Sequence, residues 1–110
     1  MLALFVEVDA DIKSRISPFA VALGPALPSD PQSVAARDRG RDEFFGIVID
    51  RLLLLGALRD GVTPRRAMDV IRVINTVDAY ADLTTRRGWT VAEWKEWLTD
   101  LLSAQLLAHP

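Results

Sequence analysis

The sequence predicts an all-α fold. Three observations carry that prediction. Apolar residues recur at helical spacing in every long segment, proline and capping residues punctuate the chain where helices begin and end, and no run alternates with the period of two that a half-buried strand requires. No internal repeat or low-complexity tract divides the chain, so residues 1–110 are expected to form a single helical domain.

The first helix is expected over 2–16, where Leu4, Phe5, Val8, Ile12 and Ile16 fall near a period of 3.6. Ser17-Pro18 suits the N-cap and first position of a further segment from Phe19 to about Leu27, and equally a kinked continuation of the same helix. Gly24-Pro25 and Pro28 then end it, and Asp30-Pro31 restarts a helix by the same cap-then-proline logic. Its first part, 32–41, is polar enough for the surface. From Phe44 to Leu58 the pattern turns apolar nearly all round, the mark of a helix buried on more than one side. Gly40, Gly46 and Gly56 lie inside the long segment from 32 to 58 and are expected to permit close helix crossing or to mark a break near Gly40.

Arg59-Asp60-Gly61 is expected to close that helix, and Thr63-Pro64 to open the next as N-cap and N1. From Arg65 to Arg87 the apolar positions, Ala67, Met68, Val70, Ile71 and Ile74 among them, cover more than one stripe, so this helix should be sandwiched. Gly88 sits where a C-cap wants a residue tolerant of positive φ, with Arg86 and Arg87 suiting the carbonyl end of the dipole. Thr90-Val91-Ala92-Glu93 is a capping box, and the last helix carries Trp94, Trp97, Leu98, Leu101, Leu102 and Leu106 on one wide apolar face.

Composition excludes several functions. The formal charge is −2, which gives no electrostatic footprint for nucleic acid, so direct DNA binding by this segment is not expected. There is no cysteine, hence neither a disulfide nor a thiolate zinc site. The opening MLALFVEV lacks a basic n-region and reads as no signal peptide, and the apolar run 44–58 is interrupted by Asp50 and Arg51 and falls short of the ~20 residues that span a bilayer. A cytoplasmic protein without membrane contact is the expectation.

Catalysis is not expected either. The one histidine, His109, is penultimate, where a frayed end is the expected environment, and no Cys/His or Ser/His/Asp constellation can be assembled. Asp78 and Asp82 stand at i and i+4, but Arg86 follows four residues later and offers an ion pair in place of a cation site. The stretch Gly56 to Gly61 follows a helix and lacks the strand that would make it a phosphate loop. Neither a cofactor nor a metal is expected. Asn75 is more informative, because Val73, Ile74 and Val77 crowd an amide that must be paired if buried. It would bond inside the core, across a dimer seam, or to a ligand. Asp50 and Arg51 pose a similar choice between a surface pair, an interface salt bridge and a ligand clamp. Phe19, Phe44, Phe45, Met68 and Ile71 suit the walls of an apolar pocket between helices, and each equally suits an ordinary core.

The segment 52–107, LLLLGALRDGVTPRRAMDVIRVINTVDAYADLTTRRGWTVAEWKEWLTDLLSAQLL, resembles the C-terminal regulatory domain of TetR-family transcriptional regulators. The resemblance lies in the G-x-L-R-x-G helix end at Gly56 to Gly61, the proline-led A-x-D start at Pro64 to Asp69, and the asparagine-to-tyrosine segment at Asn75 to Tyr80. It continues through the R-G-W-T turn at Arg87 to Thr90 and the terminal helix with Trp94, Trp97 and Leu98. Over the first half, including IKSRISPFAVAL, it is looser. What it implies is a helical domain dimerising through its last two long helices in a four-helix bundle, with a small-molecule cavity among the earlier helices that repositions an N-terminal helix-turn-helix. That reading head is not among these 110 residues.

The expectations are therefore a homodimer, joined through helices at roughly 64–87 and 90–108 with Tyr80, Trp94, Trp97, Leu98, Leu101 and Leu102 at the interface. An unknown small apolar effector is expected among Phe19, Phe44, Phe45, Met68, Ile71 and Asn75. The alternative is a stand-alone helical interaction module that heterodimerises with, and modulates, a full-length relative.

Overall fold

Local capping chemistry places most helix ends where the sequence puts them. The computed structural model describes residues 2–23 and 29–108. In it α1 spans Leu2–Leu23, α2 Pro31–Leu54, α3 Pro64–Ile74, α4 Val77–Ala81 and α5 Val91–Leu106, and α4 runs on as a π-helical segment, Asp82–Arg86. Among the described residues there is no strand, only an isolated antiparallel bridge between Leu58 and Leu107. The protein is all-α. The proline-rich stretch 24–28 and His109 lie outside the described residues.

Asp30 accepts a hydrogen bond from the Ser33 amide at 2.9 Å and Thr63 one from the Arg66 amide at 3.1 Å, each ahead of a proline at the first helical position. Both elements of the capping box form: the Glu93 amide donates to the Thr90 hydroxyl at 3.1 Å and the Thr90 amide to the Glu93 carboxylate at 3.0 Å. Gly88 turns the chain between the π segment and α5 with φ of 74°, a backbone state that costs glycine little and a β-carbon much. Replacing Thr90 by alanine removes a side-chain acceptor that nothing else supplies, and a loss of about 1 kcal/mol in thermal denaturation is expected. An unchanged melting curve would show that these exposed bonds contribute nothing.

Of the two readings of Ser17-Pro18 the structure takes the continuation: the chain runs on helically through Pro18 to Leu23, with no second start. Three expectations are corrected. In α2 neither Gly40 nor Gly46 marks a break or a close crossing: the helix is continuous, and a β-carbon at either position would meet nothing within 4 Å. That helix also stops at Leu54, earlier than Arg59-Asp60-Gly61, because Gly56 takes φ of 64° and the Ala57 amide reaches back to the Leu52 carbonyl at 2.9 Å. Only one side of it is buried, through Phe45, Val48, Ile49 and Leu52, while Ile47, Leu53, Leu54 and Leu55 remain exposed.

The expected single helix over 65–87 is broken in the middle. Thr76 leaves the helical region at ψ of 152° and its hydroxyl accepts from the Ala79 amide at 3.0 Å, so α4 begins anew after Asn75. A cap embedded in an apolar run is overridden by nothing here, and helix α3 is left amphipathic, with Ala67 and Ile71 inward and Val73 outward. It packs along α2 and also meets α5.

Packing assembles two blocks. Helix α1 lies along α4 and α5, α2 lies along α3, and α3 meets α5. The core between them comprises Phe5 and Val6 of α1, the inner face of α2, Ile71, Tyr80, and Trp94, Leu98, Leu102 and Leu106 of α5. The loop after α2 then ties down the end of α5: the Arg59 amide donates to the Leu106 carbonyl at 2.8 Å, the Arg59 guanidinium to the Ala104 carbonyl at 3.2 Å, and the Ala108 amide to the Ala57 carbonyl at 3.0 Å. Carbonyls that a helix C-terminus leaves orphaned are satisfied by a distant turn.

Candidate functional site

Two features of the interior stand apart from ordinary packing. The first is an aromatic file across the α4/α5 junction. Tyr80 meets Trp94 edge to face at 5.4 Å between centroids, Trp94 meets Trp97 at 5.3 Å, and Trp97 meets Trp89 edge to face at 5.9 Å. The Gly88 turn is what brings Trp89 back onto α5, and burial pushes the Tyr80 phenol above its ordinary value against the opposing charge of Lys95. Within this file the Trp94 indole Nε1 is buried and has no hydrogen-bond partner.

Asn75 is the second feature. It is 1% exposed at the break between α3 and α4, and both its amide oxygen and its amide nitrogen lack a partner. Its backbone amide is satisfied by the Ile71 carbonyl at 2.8 Å, so the unmet demand belongs to the side chain alone. Three orphaned polar atoms in an apolar interior are expensive, at about 1–3 kcal/mol per group. Asn75→Leu is therefore expected to raise stability by about 1–3 kcal/mol in urea denaturation. A loss of stability would mean that the amide is paired in solution.

The six residues expected to line a pocket lie in different settings. Phe44 and Phe45 pack with Phe5 at 5.3 and 5.8 Å between centroids, filling the space between α1 and α2 with rings. Ile71 is wholly buried in the core and Met68 packs on its edge, while Phe19 stands exposed near the far end of α1. The open clefts at Arg41, Asp69, Arg72 and Val73, and at Ile47, Val48, Asp50, Arg51 and Leu54, contain none of the six. Asp50 and Arg51 are both exposed.

Of the six residues expected at a dimer interface, Tyr80, Trp94, Leu98 and Leu102 have their side chains covered by their own chain, and Trp97 and Leu101 are half-buried. The outward side of α5 is instead polar, with Glu93, Glu96, Asp100 and Gln105 exposed.

Sequence reasoning missed a buried polar file on α1. Asp9, Lys13 and Ser17 recur at i, i+4 spacing and are all buried, with the Lys13 ammonium donating to the Asp9 carboxylate. Conversely Leu4, Val8, Ile12 and Ile16, whose spacing with Phe5 predicted the helix, are exposed. Phe5 alone of that set is buried, together with Leu2, Val6 and Ala10. The i, i+4 acid-base spacing was visible, but such pairs ordinarily lie in solvent, and only the neighbours α4 and α5 reverse that.

Ion pairs elsewhere are superficial. Arg86 reaches Asp82 at 3.7 Å, as the spacing indicated, and Lys95 joins Glu7 of α1 at 2.9 Å. Among the described residues no group of three His, Cys, Asp or Glu side chains is placed to hold a metal ion, and no helix is long and apolar enough to cross a membrane.

Fold and interior together define a small all-α protein with surplus apolar surface. Compared with family models, curated proteins and solved structures, the chain finds no match.

Proposed function

We propose that this chain is the effector-sensing and dimerisation domain of a TetR-like transcriptional regulator, acting in the cytoplasm as a homodimer. The observation that carries the reading is apolar surface left uncovered by the chain's own core. Leu4, Val8, Ile12, Ile16 and Phe19 are exposed on α1, and Ile47, Leu53 and Leu54 on α2 with Leu55 at its C-cap. Scattered exposed leucines need no explanation, but runs along two helices do. The dimensions agree, since a body of 45 × 34 × 18 Å is only about two helix diameters thick in its short direction.

The TetR-like residues also fall at junctions that shape the domain: Gly56 ends α2, Thr63-Pro64 starts α3, Asn75 precedes the break, and Gly88 sets α5 against the π segment. Effector sensing rests on the resemblance alone, since the orphaned Asn75 amide and Trp94 indole are closed off in the core. An effector that binds one arrangement of the domain more tightly shifts the dimer towards it, and in an intact regulator this changes the separation of its reading heads.

Sedimentation equilibrium of the purified chain is the test. A dimer is expected at about 100 μM, a hundredfold above a micromolar dissociation constant, and a monomer at that concentration overturns the reading. The same uncovered surface favours a second reading, an interaction module that pairs with a full-length relative. Adding the chain to an operator gel shift of such a relative separates the two, because only the module abolishes or alters the shifted band.

A further inference from the structure

We propose that the outer face of α1 pairs with the same face of a second copy, antiparallel about a two-fold axis that passes beside Asp11 and Ile12. This rests on the homodimer reading and names the surface that makes it. The apolar periodicity of α1 and its burial disagree. Four of the five residues that mark its apolar row are exposed: Leu4 by 66%, Val8 by 43%, Ile12 by 39% and Ile16 by 46%, and Phe19 continues the row at 67%. Meanwhile the side turned to α4 and α5 buries an ion pair and Ser17. The inward side of α1 buries Leu2, Phe5, Val6 and Ala10 together with these polar groups, and the exposed apolar row is a second face with no partner in its own chain.

The pattern on the row's edge identifies the partner as another copy. Glu7, Asp11 and Arg15 follow one another at i, i+4 spacing and so line one flank of the apolar row, acidic in its first half and basic in its second. Asp11 and Arg15 are paired within the helix at 3.2 Å and both are well exposed, while Glu7 is held from behind by Lys95. A two-fold axis lying in the interface and perpendicular to α1 reverses the helix direction but keeps this flank on the same side in both copies. Arg15 of each copy then lies beside Glu7 of the other, and Leu4 meets Phe19 at either end. The face is complementary to its own reversal, as an isologous contact requires. A parallel pair would place the flank of one copy against the opposite edge of the other and forgo these charge contacts.

The size of the contact predicts its strength. A helix of 22 residues presents a face about 33 Å long and 10 Å wide, so α1 alone supplies less than the roughly 800 Å² that each partner contributes to a standard stable interface. Dimerisation should depend visibly on concentration.

Two sets of variants test this. Val8→Glu combined with Ile12→Glu alters exposed positions only, so the circular dichroism should be unchanged while dimerisation in sedimentation equilibrium weakens at least tenfold. The sequence contains no cysteine, so a single introduced thiol is unambiguous. Ile12→Cys, beside the axis, should give a disulfide-linked dimer on mild oxidation, and Ile47→Cys on α2, though more exposed, should not. A wild-type chain that stays monomeric overturns both the homodimer reading and this one, and leaves the row to a different protein. A wild-type dimer that survives the double glutamate variant, with no cross-link at Ile12→Cys, overturns the α1 contact and leaves the homodimer standing through another face. Should the double glutamate variant fail to fold, the cross-link alone decides.

Discussion

Trp94→Ala is expected to cost about 3–5 kcal/mol, enough to leave a domain of ordinary stability partly unfolded at room temperature. Trp94 is completely buried, is touched by Tyr80 and Trp97 through their rings, and sits where α5 meets α1 and α4. Its removal opens a cavity where α1, α4 and α5 meet, and rigid neighbours close such a cavity poorly. Trp94→Phe makes the companion measurement. It keeps most of the apolar body and deletes the orphaned indole Nε1, so part of the lost packing is offset and the cost should be clearly smaller than for alanine. Urea denaturation followed by far-ultraviolet circular dichroism reads both. Equal losses for the two variants would show that Nε1 is hydrogen-bonded in solution.

Lys13→Met should be as damaging as Trp94→Ala, for an electrostatic reason. Lys13 and Asp9 each keep only 5% of their side-chain surface in solvent, so removing the ammonium leaves a carboxylate buried without a partner, at a cost of about 3–5 kcal/mol. Removing both charges together reverses the outcome. Asp9→Leu combined with Lys13→Met is expected to be as stable as the wild type or more so by about 1–4 kcal/mol, because the desolvation of two ions is no longer incurred. A double variant as unstable as the single one would mean that the pair holds α1 in place by its geometry.

The same pair sets a pH dependence. Burial holds the Lys13 ammonium below its ordinary value of 10.5, against the opposing charge and hydrogen bond of Asp9. Between the depressed folded value and 10.5 the unfolded chain binds more protons at this residue than the folded one, so Lys13 makes stability rise with pH over that interval. Below the interval its destabilising contribution is present in full. The alkaline rise should be absent from the Asp9→Leu, Lys13→Met variant, and a rise of equal slope in both proteins would assign it to another group.

Much of the fold was legible in the sequence because its signals are short-range. Asp30-Pro31, Thr63-Pro64 and the Thr90/Glu93 box are hydrogen bonds between residues three apart, and Gly88 is a single backbone angle, so each is decided before the chain meets itself. Thr76 belongs to the same class and was obscured only by the apolar residues around it. For the site, the aromatic residues of the α4/α5 region were visible from their spacing, but their spacing is equally that of a core and of an interface.

By itself, then, the sequence determined the helical class, nearly every helix start, and the presence of more apolar surface than one small core uses. Only the tertiary structure decided which surface that is. It turned Tyr80, Trp94, Leu98 and Leu102 inward, and it stopped α2 at Leu54 by giving Gly56 the left-handed turn that Gly61 was expected to supply. It also buried Asp9 and Lys13 while leaving Leu4, Val8, Ile12 and Ile16 outside. Periodicity fixes which residues share a helix face, but the neighbour that covers a face is chosen by long-range packing, and for α1 the neighbours α4 and α5 cover the polar side.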